Sequence, residues 1–196
     1  MTRRADDGLS YHAWFEAGLS IEGRTIILES TAQDEEINSS MSLHFIKCMS
    51  VLEAVSDKKP ILIIINSTGG DIHASFAMYD RIVASPCEVV VCGYSAVMSG
   101  ASIIQQAADI REMTPHSYMM IHDGSVTLQD DMTKAKSWMN AYDSMSEQMY
   151  DIYFNRAVKK NKKLTRDSVV KMCKEETILT AQQALDIGFI DKVFKG

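Results

Sequence analysis

The chain has 196 residues, 46% of them hydrophobic, and a formal net charge of −6. That length and composition fit one folded domain with a sizeable core and exclude a disordered chain. The acidic balance argues against a nucleic-acid surface, and the longest aliphatic run, residues 61–65, is far too short to cross a bilayer.

Residues 1–20 mix polar and apolar positions without a period and read as an N-terminal arm. Arg3 and Arg4 are followed by no apolar run, so a secretory signal is not expected. Residues 23–28 read as a first strand. A helix then opens at Thr31 to Asp34, with Ile37, Met41, Phe45, Cys48, Leu52 and Val55 on one face. Pro60 stops it. The aliphatic run 61–65 predicts a strand buried on both faces of a parallel sheet. It ends in Asn66-Ser67-Thr68-Gly69-Gly70-Asp71. The helix after it carries Ile72, Phe76, Tyr79, Ile82 and Val83 on one side, and Ser85-Pro86 closes it.

Residues 89–92 predict another strand, followed by small residues and a helix over 99–108. Two short strands, 110–113 and 118–121, flank the turn at Pro115, and the second ends at His122-Asp123-Gly124. The longest helix is expected over 131–158, with Ala135, Trp138, Met139, Tyr142, Met145, Met149, Ile152 and Tyr153 as its apolar stripe. That stripe is broader than one small domain needs, and part of it reads as a subunit interface. The basic run 159–163 reads as a solvated loop at the helix end. A short helix follows over 165–174. Thr180-Ala181-Gln182-Gln183 is a capping-box pattern that starts another, Gly188 ends it, and 189–193 is a last strand. Strands alternating with helices give an α/β class.

The four cysteines, Cys48, Cys87, Cys92 and Cys173, form no C-x-x-C pair, which favours reduced thiols and a cytoplasmic compartment. The five histidines are scattered without ligand spacing, so neither a metal nor a cofactor is expected.

Three positions carry chemistry. Gly69 and Gly70 follow a buried strand and precede a helix, where backbone N–H groups form either an anion site or an unoccupied tight turn. The P-loop lysine and the G-x-G-x-x-G pattern are both missing. Ser99 stands where a strand hands over to a helix, as a cap or as a nucleophile. Its flanks, Val97 and Ala101, are not those of a G-x-S-x-G elbow. His122 ends an apolar strand, where α/β folds place their sites. The residues by themselves do not choose an acid among Asp167, Glu175, Glu176, Asp186 and Asp191.

Four segments carry a resemblance: Ile65 to Gly70, Ala96 to Ala101, Pro115 to His122 and Leu179 to Asp191. In this order and spacing the chain resembles the ClpP family of self-compartmentalised serine peptidases, from about Arg24 to Val193. The resemblance implies a ClpP/crotonase-like spiral of β-β-α units over 21–196, with the 131–158 helix as a protruding handle and residues 1–20 as the axial segment. It implies Ser99 as nucleophile, His122 as general base, and Gly70 and Gly100 as oxyanion-hole positions. An extended substrate would add as a strand near Gly69, Gly70 and Ser125. The family's acid is an aspartate; the matching position here is Glu176, one methylene longer, with Glu175 beside it. Gly100 stands where the family usually has methionine, and the segment after His122 keeps one glycine.

The implied activity is ATP-dependent proteolysis of unfolded polypeptides, by heptameric rings stacked as a tetradecamer and fed by a Clp-type AAA+ unfoldase that uses the ATP. Neither nucleic acid nor membrane is an expected partner. The alternatives are a catalytically impaired ring subunit and a crotonase-like acyl-CoA enzyme, which would not need Ser99 and His122 as a pair. A signal-peptide peptidase of similar fold would need a serine–lysine pair, and no lysine lies near these strand ends. A capsid-maturation protease of this fold also stays open.

Overall fold

The computed structural model describes residues 18–30, 36–125 and 131–194; the expected helix start at 31–34 and most of the N-terminal arm lie outside the described residues. An eight-stranded sheet organises the chain. Strand β1 (Leu19–Ser20) pairs antiparallel with β2 (Thr25–Ser30), so the last residues of the expected arm belong to the sheet. From β2 the order runs through β3 (Ile61–Ser67), β4 (Val89–Met98), β5 (Ile110–Met113) and β8 (Lys192–Val193), all parallel. Strand β6 (Tyr118–Ile121) leaves this path to pair with β4, and β7 (Thr177–Thr180) pairs antiparallel with β6.

Helix α1 spans Ser39–Val55. It starts where Asn38 Oδ1 accepts the Met41 N–H at 3.0 Å, so Ile37 precedes the helix instead of lining it. Ile37 forms a parallel bridge to Gly70. Helix α2 spans Ile72–Val83 and buries Ala74, Ser75, Met78 and Ile82. Of the predicted face Ile82 is buried, but Phe76 and Tyr79 are half-buried and Val83 is exposed. The small residues let the helix pack closely against α1 and the helix that begins at Gly100, and the bulky ones pack at its flank.

Strand β3 also departs from expectation. Ile61, Ile63 and Ile65 are fully buried, whereas Leu62 and Ile64 are half-buried, so its second face is only partly covered within one chain. The Arg24 guanidinium, buried before β2, donates to the carbonyls of Leu52 (2.7 Å), Ser56 (3.0 Å), Lys59 (2.9 Å) and Pro60 (3.0 Å). A cation there meets the negative end of α1 and satisfies carbonyls the helix leaves open.

Helix α3 (Gly100–Gln106) follows β4 directly. Helix α4 (Met132–Ala157) is the long one, capped by Asp131. Only its C-terminal half packs, burying Met149, Tyr150, Tyr153 and Ala157; Met132, Trp138 and Met139 are exposed, so the N-terminal half protrudes. Helices α5 (Arg166–Lys174) and α6 (Ala181–Ile187) both begin with capping boxes, at Thr165 with Ser168 and at Thr180 with Gln183. The last strand is shorter than expected, because Phe189 and Ile190 enter the core before the chain reaches the sheet. All four cysteines are free and buried.

Candidate active site

Strand β4 builds the site by changing neighbours. Residues Val90–Gly93 pair with β5; beyond a register shift, Ala96–Met98 pair with β6. The chain turns at Ser95, with φ of 55°, and Asn66 Oδ1 accepts the Ala96 N–H at 3.3 Å. The predicted strand stopped at Cys92, because Gly93 and Ser95 interrupt its apolar run; the pairing continues through them to Met98.

With Met98 opposite Met120, Ser99 and His122 leave adjacent strand ends. Ser99 Oγ lies 2.7 Å from His122 Nε2. His122 Nδ1 lies 3.2 Å from Glu176 Oε2. An ionised carboxylate only accepts, so Nδ1 carries the proton and Nε2 is left to accept from the serine hydroxyl. Ser99 has φ of 52° and ψ of −125°, a region that costs a non-glycine residue about 1–3 kcal/mol. The strained strand-to-helix turn of a nucleophile is thus present without the G-x-S-x-G motif.

Glu176 also has positive φ, at 51°. It occupies the left-handed position that ends α5, usually a glycine. Its N–H donates to Cys173 O at 3.2 Å, and Thr177 Oγ1 caps Met172 O at 2.8 Å. Cys173 O also accepts the Asp123 N–H at 3.2 Å. One carbonyl therefore ties the chain carrying the acid to the residue after His122. The other acids are engaged elsewhere or face away. Glu175 pairs with Lys171, Asp186 accepts from Gln182, and Asp191 binds Arg111 and Lys160, while Asp167 lies in the first turn of α5.

A cleft of about 790 Å³ opens over this row. Gly69, Gly70, Ser99, Gly100, His122 and Ser125 all line it, with Ile72, Ile103, Met120 and Met149 supplying apolar wall. Gly70 has φ of 151°, and a Cβ there would lie 2.4 Å from the Ile37 carbonyl oxygen. The bonds Ile37 N–H to Gly69 O (2.9 Å) and Asp71 N–H to Ile37 O (2.8 Å) flank Gly70. In a parallel bridge the residue between two such bonds turns its own N–H to the other side. Gly69 has both polar groups engaged, its N–H on Ser67 Oγ and its carbonyl on Ile37, so it shapes the cleft by close packing against Ser99. Gly100 is the first residue of α3, and its N–H has no partner within the helix.

Two tyrosines one turn apart on α4 reach the site, and neither was singled out from the sequence, where Tyr153 was only part of an apolar stripe. Tyr150 donates to Asp123 Oδ1 at 2.7 Å. Tyr153 OH lies 2.6 Å from Ser102 Oγ. Burial holds both phenols protonated well above their ordinary range, and the Asp123 charge adds to this at Tyr150. Burial also pushes the Cys173 thiol up to about 12 and Cys92 to about 11, so neither competes with Ser99 as a nucleophile. Among the described residues no group of three or more His, Cys, Asp or Glu is placed to hold a metal ion. No helix among them is long and apolar enough to cross a membrane.

A serine, a histidine and a carboxylate in hydrogen-bonded series, at the ends of strands in an α/β spiral, define a hydrolase-type arrangement. The family model described as Clp protease matches residues 21–196, and the chain belongs to that family. It is 31% identical over 169 residues to "ATP-dependent Clp protease proteolytic subunit 1" of Protochlamydia amoebophila, covering 81% of this chain and 77% of the relative. The Chlamydia abortus protein of the same name is 28% identical over 163 residues, covering 81% and 82%. Among solved structures, a mutant ClpP1 from Listeria monocytogenes superposes with a TM-score of 0.78 at 23% identity, over 90% of this chain and 94% of that one. These likenesses do not favour the crotonase-like or impaired-subunit readings.

Proposed function

We propose that this chain is the proteolytic subunit of an ATP-dependent serine peptidase that cleaves unfolded polypeptides inside an oligomeric chamber. The observation that carries the reading is the contact of 2.7 Å between Ser99 Oγ and His122 Nε2, continued to Glu176 at 3.2 Å. His122 takes the Ser99 proton as Oγ attacks a peptide carbonyl carbon. The N–H groups of Gly70 and Gly100 stabilise the oxyanion, the larger energetic contribution in such sites. Collapse breaks the C–N bond, and Nε2 returns its proton to the leaving amine. Water, deprotonated by the same nitrogen, then hydrolyses the acyl ester and restores Ser99. Glu176 holds the imidazole in this tautomer and stabilises the imidazolium. Substrate lies extended between the Gly69-Gly70 edge and Ser125.

The particle is built from heptameric rings stacked as a tetradecamer, with the exposed Met132, Trp138 and Met139 of α4 at the ring-to-ring contact. A Clp-type AAA+ unfoldase uses ATP to feed the chamber, in the cytoplasm. The peptidase domain begins at β1, since Leu19 and Ser20 pair with β2. Purified protein is expected to run as a particle many times 21.9 kDa by light scattering. It should cleave short fluorogenic peptides without ATP and react with a fluorophosphonate. Ser99→Ala should abolish both reactions while leaving the particle intact. Hydrolysis and labelling that survive Ser99→Ala would sink the reading.

A further inference from the structure

Taking Ser99 as the nucleophile, we propose that Ser102 and Tyr153 are positioning residues that hold the Ser99–Gly100 peptide plane in its reactive orientation. Ser99 sits in an unfavourable backbone region, so its surroundings must hold it there. On one side its N–H donates to Met120 O at 2.9 Å. On the other, its carbonyl accepts from the N–H of Ser102 at 2.9 Å and of Ile103 at 3.4 Å, and from Ser102 Oγ at 2.6 Å.

The proton count orders this network. Ser102 has one hydroxyl proton, and its oxygen faces two carbonyls, Ser99 O at 2.6 Å and Met120 O at 3.0 Å, which only accept. The proton between Ser102 and Tyr153, at 2.6 Å, therefore comes from the tyrosine. The chain runs from the fully buried Tyr153 O–H and Ser102 Oγ–H to Ser99 O at the edge of the cleft, and each bond polarises the next. Phe189 packs against the Tyr153 ring edge-on, at 5.6 Å between centroids, and fixes where the hydroxyl points.

A trans peptide is planar, so the Ser99 carbonyl and the Gly100 N–H point in opposite directions from one rigid plate. Gripping the oxygen from inside the core aims the N–H into the cleft, where the oxyanion forms. The same grip sets ψ of Ser99 and steadies the Cα that carries Oγ. Neither hydroxyl touches substrate. Both act through the peptide that does.

The test uses the assembled protein with Tyr153→Phe and Ser102→Ala, each removing only a hydroxyl oxygen. A misplacement of the order of an ångström costs about 10²-fold, and loss of one bond from the network should cost kcat about tenfold or more. KM should stay within about twofold, and the fluorophosphonate labelling rate should fall by the same factor as kcat. The double variant should be no slower than Ser102→Ala alone, because the two hydroxyls act in series. Ser102→Thr, which restores the hydroxyl, should recover most of the labelling rate.

Wild-type kcat in both single variants would overturn the proposal. So would strictly additive losses, or losses that only track the fraction of folded protein in a melting curve. Ser99→Ala separates the two readings. If it is inert while Tyr153→Phe and Ser102→Ala are fully active, only the positioning role fails. If Ser99→Ala stays active, the nucleophile reading fails and takes the positioning role with it.

Discussion

Glu176 meets His122 Nδ1 at 3.2 Å from a left-handed backbone position, φ 51°, at the end of α5. The side chain is 62% exposed, so water competes for the imidazole when the carboxylate is removed. Loss of a buried orienting aspartate in a serine-protease triad costs about 10⁴ in kcat. Here Glu176→Gln should cost less, roughly 10–100-fold, since solvent replaces part of the orienting bond. Glu176→Gly should lower kcat at least as much and yet raise the melting temperature, because glycine relieves a left-handed strain of about 1 kcal/mol. Peptide hydrolysis and a thermal melt on the same samples check the pair. A glycine variant that is both inactive and less stable would contradict it.

Gly100 has no room for a side chain. A Cβ there would lie 2.1 Å from Ser75 Oγ and 3.2 Å from Ser75 Cβ, and Ser75 is fully buried, with its hydroxyl on Asp71 O at 2.8 Å. Gly100→Ala should destabilise by about 1–3 kcal/mol through overpacking. It should also lower kcat, since the Gly100 N–H belongs to the peptide plane held against the oxyanion. Ser75→Gly in the same chain removes both obstructing atoms and should restore part of the loss. Urea unfolding of the two single variants and the double variant reads the coupling, and independent additive losses would refute it.

Asp191 anchors the far edge of the sheet. Its carboxylate takes both arms of the nearly buried Arg111, at 2.9 Å each, and Lys160 at 2.8 Å. Burial by itself would raise its pKa, but the Arg111 and Lys160 bonds outweigh that and hold it well below the carboxylate range. The unfolded carboxyl titrates near ~3.9, so below that pH the unfolded chain binds more protons and stability falls with falling pH. The contribution is fully present above about pH 4 and is lost as pH drops toward the folded value. Asp191→Asn should cost about 3 kcal/mol at neutral pH, because it leaves Arg111 buried without its countercharge. Chemical denaturation from pH 7 to pH 3 should show the gap between wild type and variant narrowing in acid.

Arg24 performs with one side chain what the C-terminus of α1 lacks. Its four carbonyl partners span residues 52–60, and no carboxylate is among them. Arg24→Lys offers a single ammonium in place of the planar fork and should lose most of these bonds, at about 2–3 kcal/mol. Arg24→Met, which keeps the stem and drops the charge, should cost a similar amount, because the buried carbonyls are left unsatisfied. Denaturant midpoints measure both. Near-identical stability in either variant would show that α1 ends adequately without the guanidinium.

Much of the site was legible in the chain. His122 stands directly after an apolar run, Gly70 and Ser99 follow apolar strands within a few residues, and strand ends are where a parallel sheet gathers its reactive groups. The long helix was readable from its apolar stripe. Less legible was what buries what. On α2 only Ile82 of the predicted face is buried, because the strip it belongs to runs through Ala74, Ser75 and Met78, and hydrophobic periodicity does not weigh the two small residues. Strand β7 was not expected, since four residues of mixed polarity beside a helix start carry little local signal.

By itself the sequence determined the alternation of strands and helices and the residue types at the strand ends, because those follow from periodicity and from turn chemistry within a few residues. The residues themselves left five carboxylates open, the resemblance pointed to Glu176, and only the tertiary structure brings that carboxylate to His122. The two residues are 54 positions apart, and no local pattern relates them. The antiparallel register of β6 and β7 does: with Ile121 opposite Thr177, His122 and Glu176 leave the ladder as the next facing pair. The grip of Tyr153 and Ser102 on Ser99 has the same origin, since a hydroxyl finds its partner only after the core has closed around it.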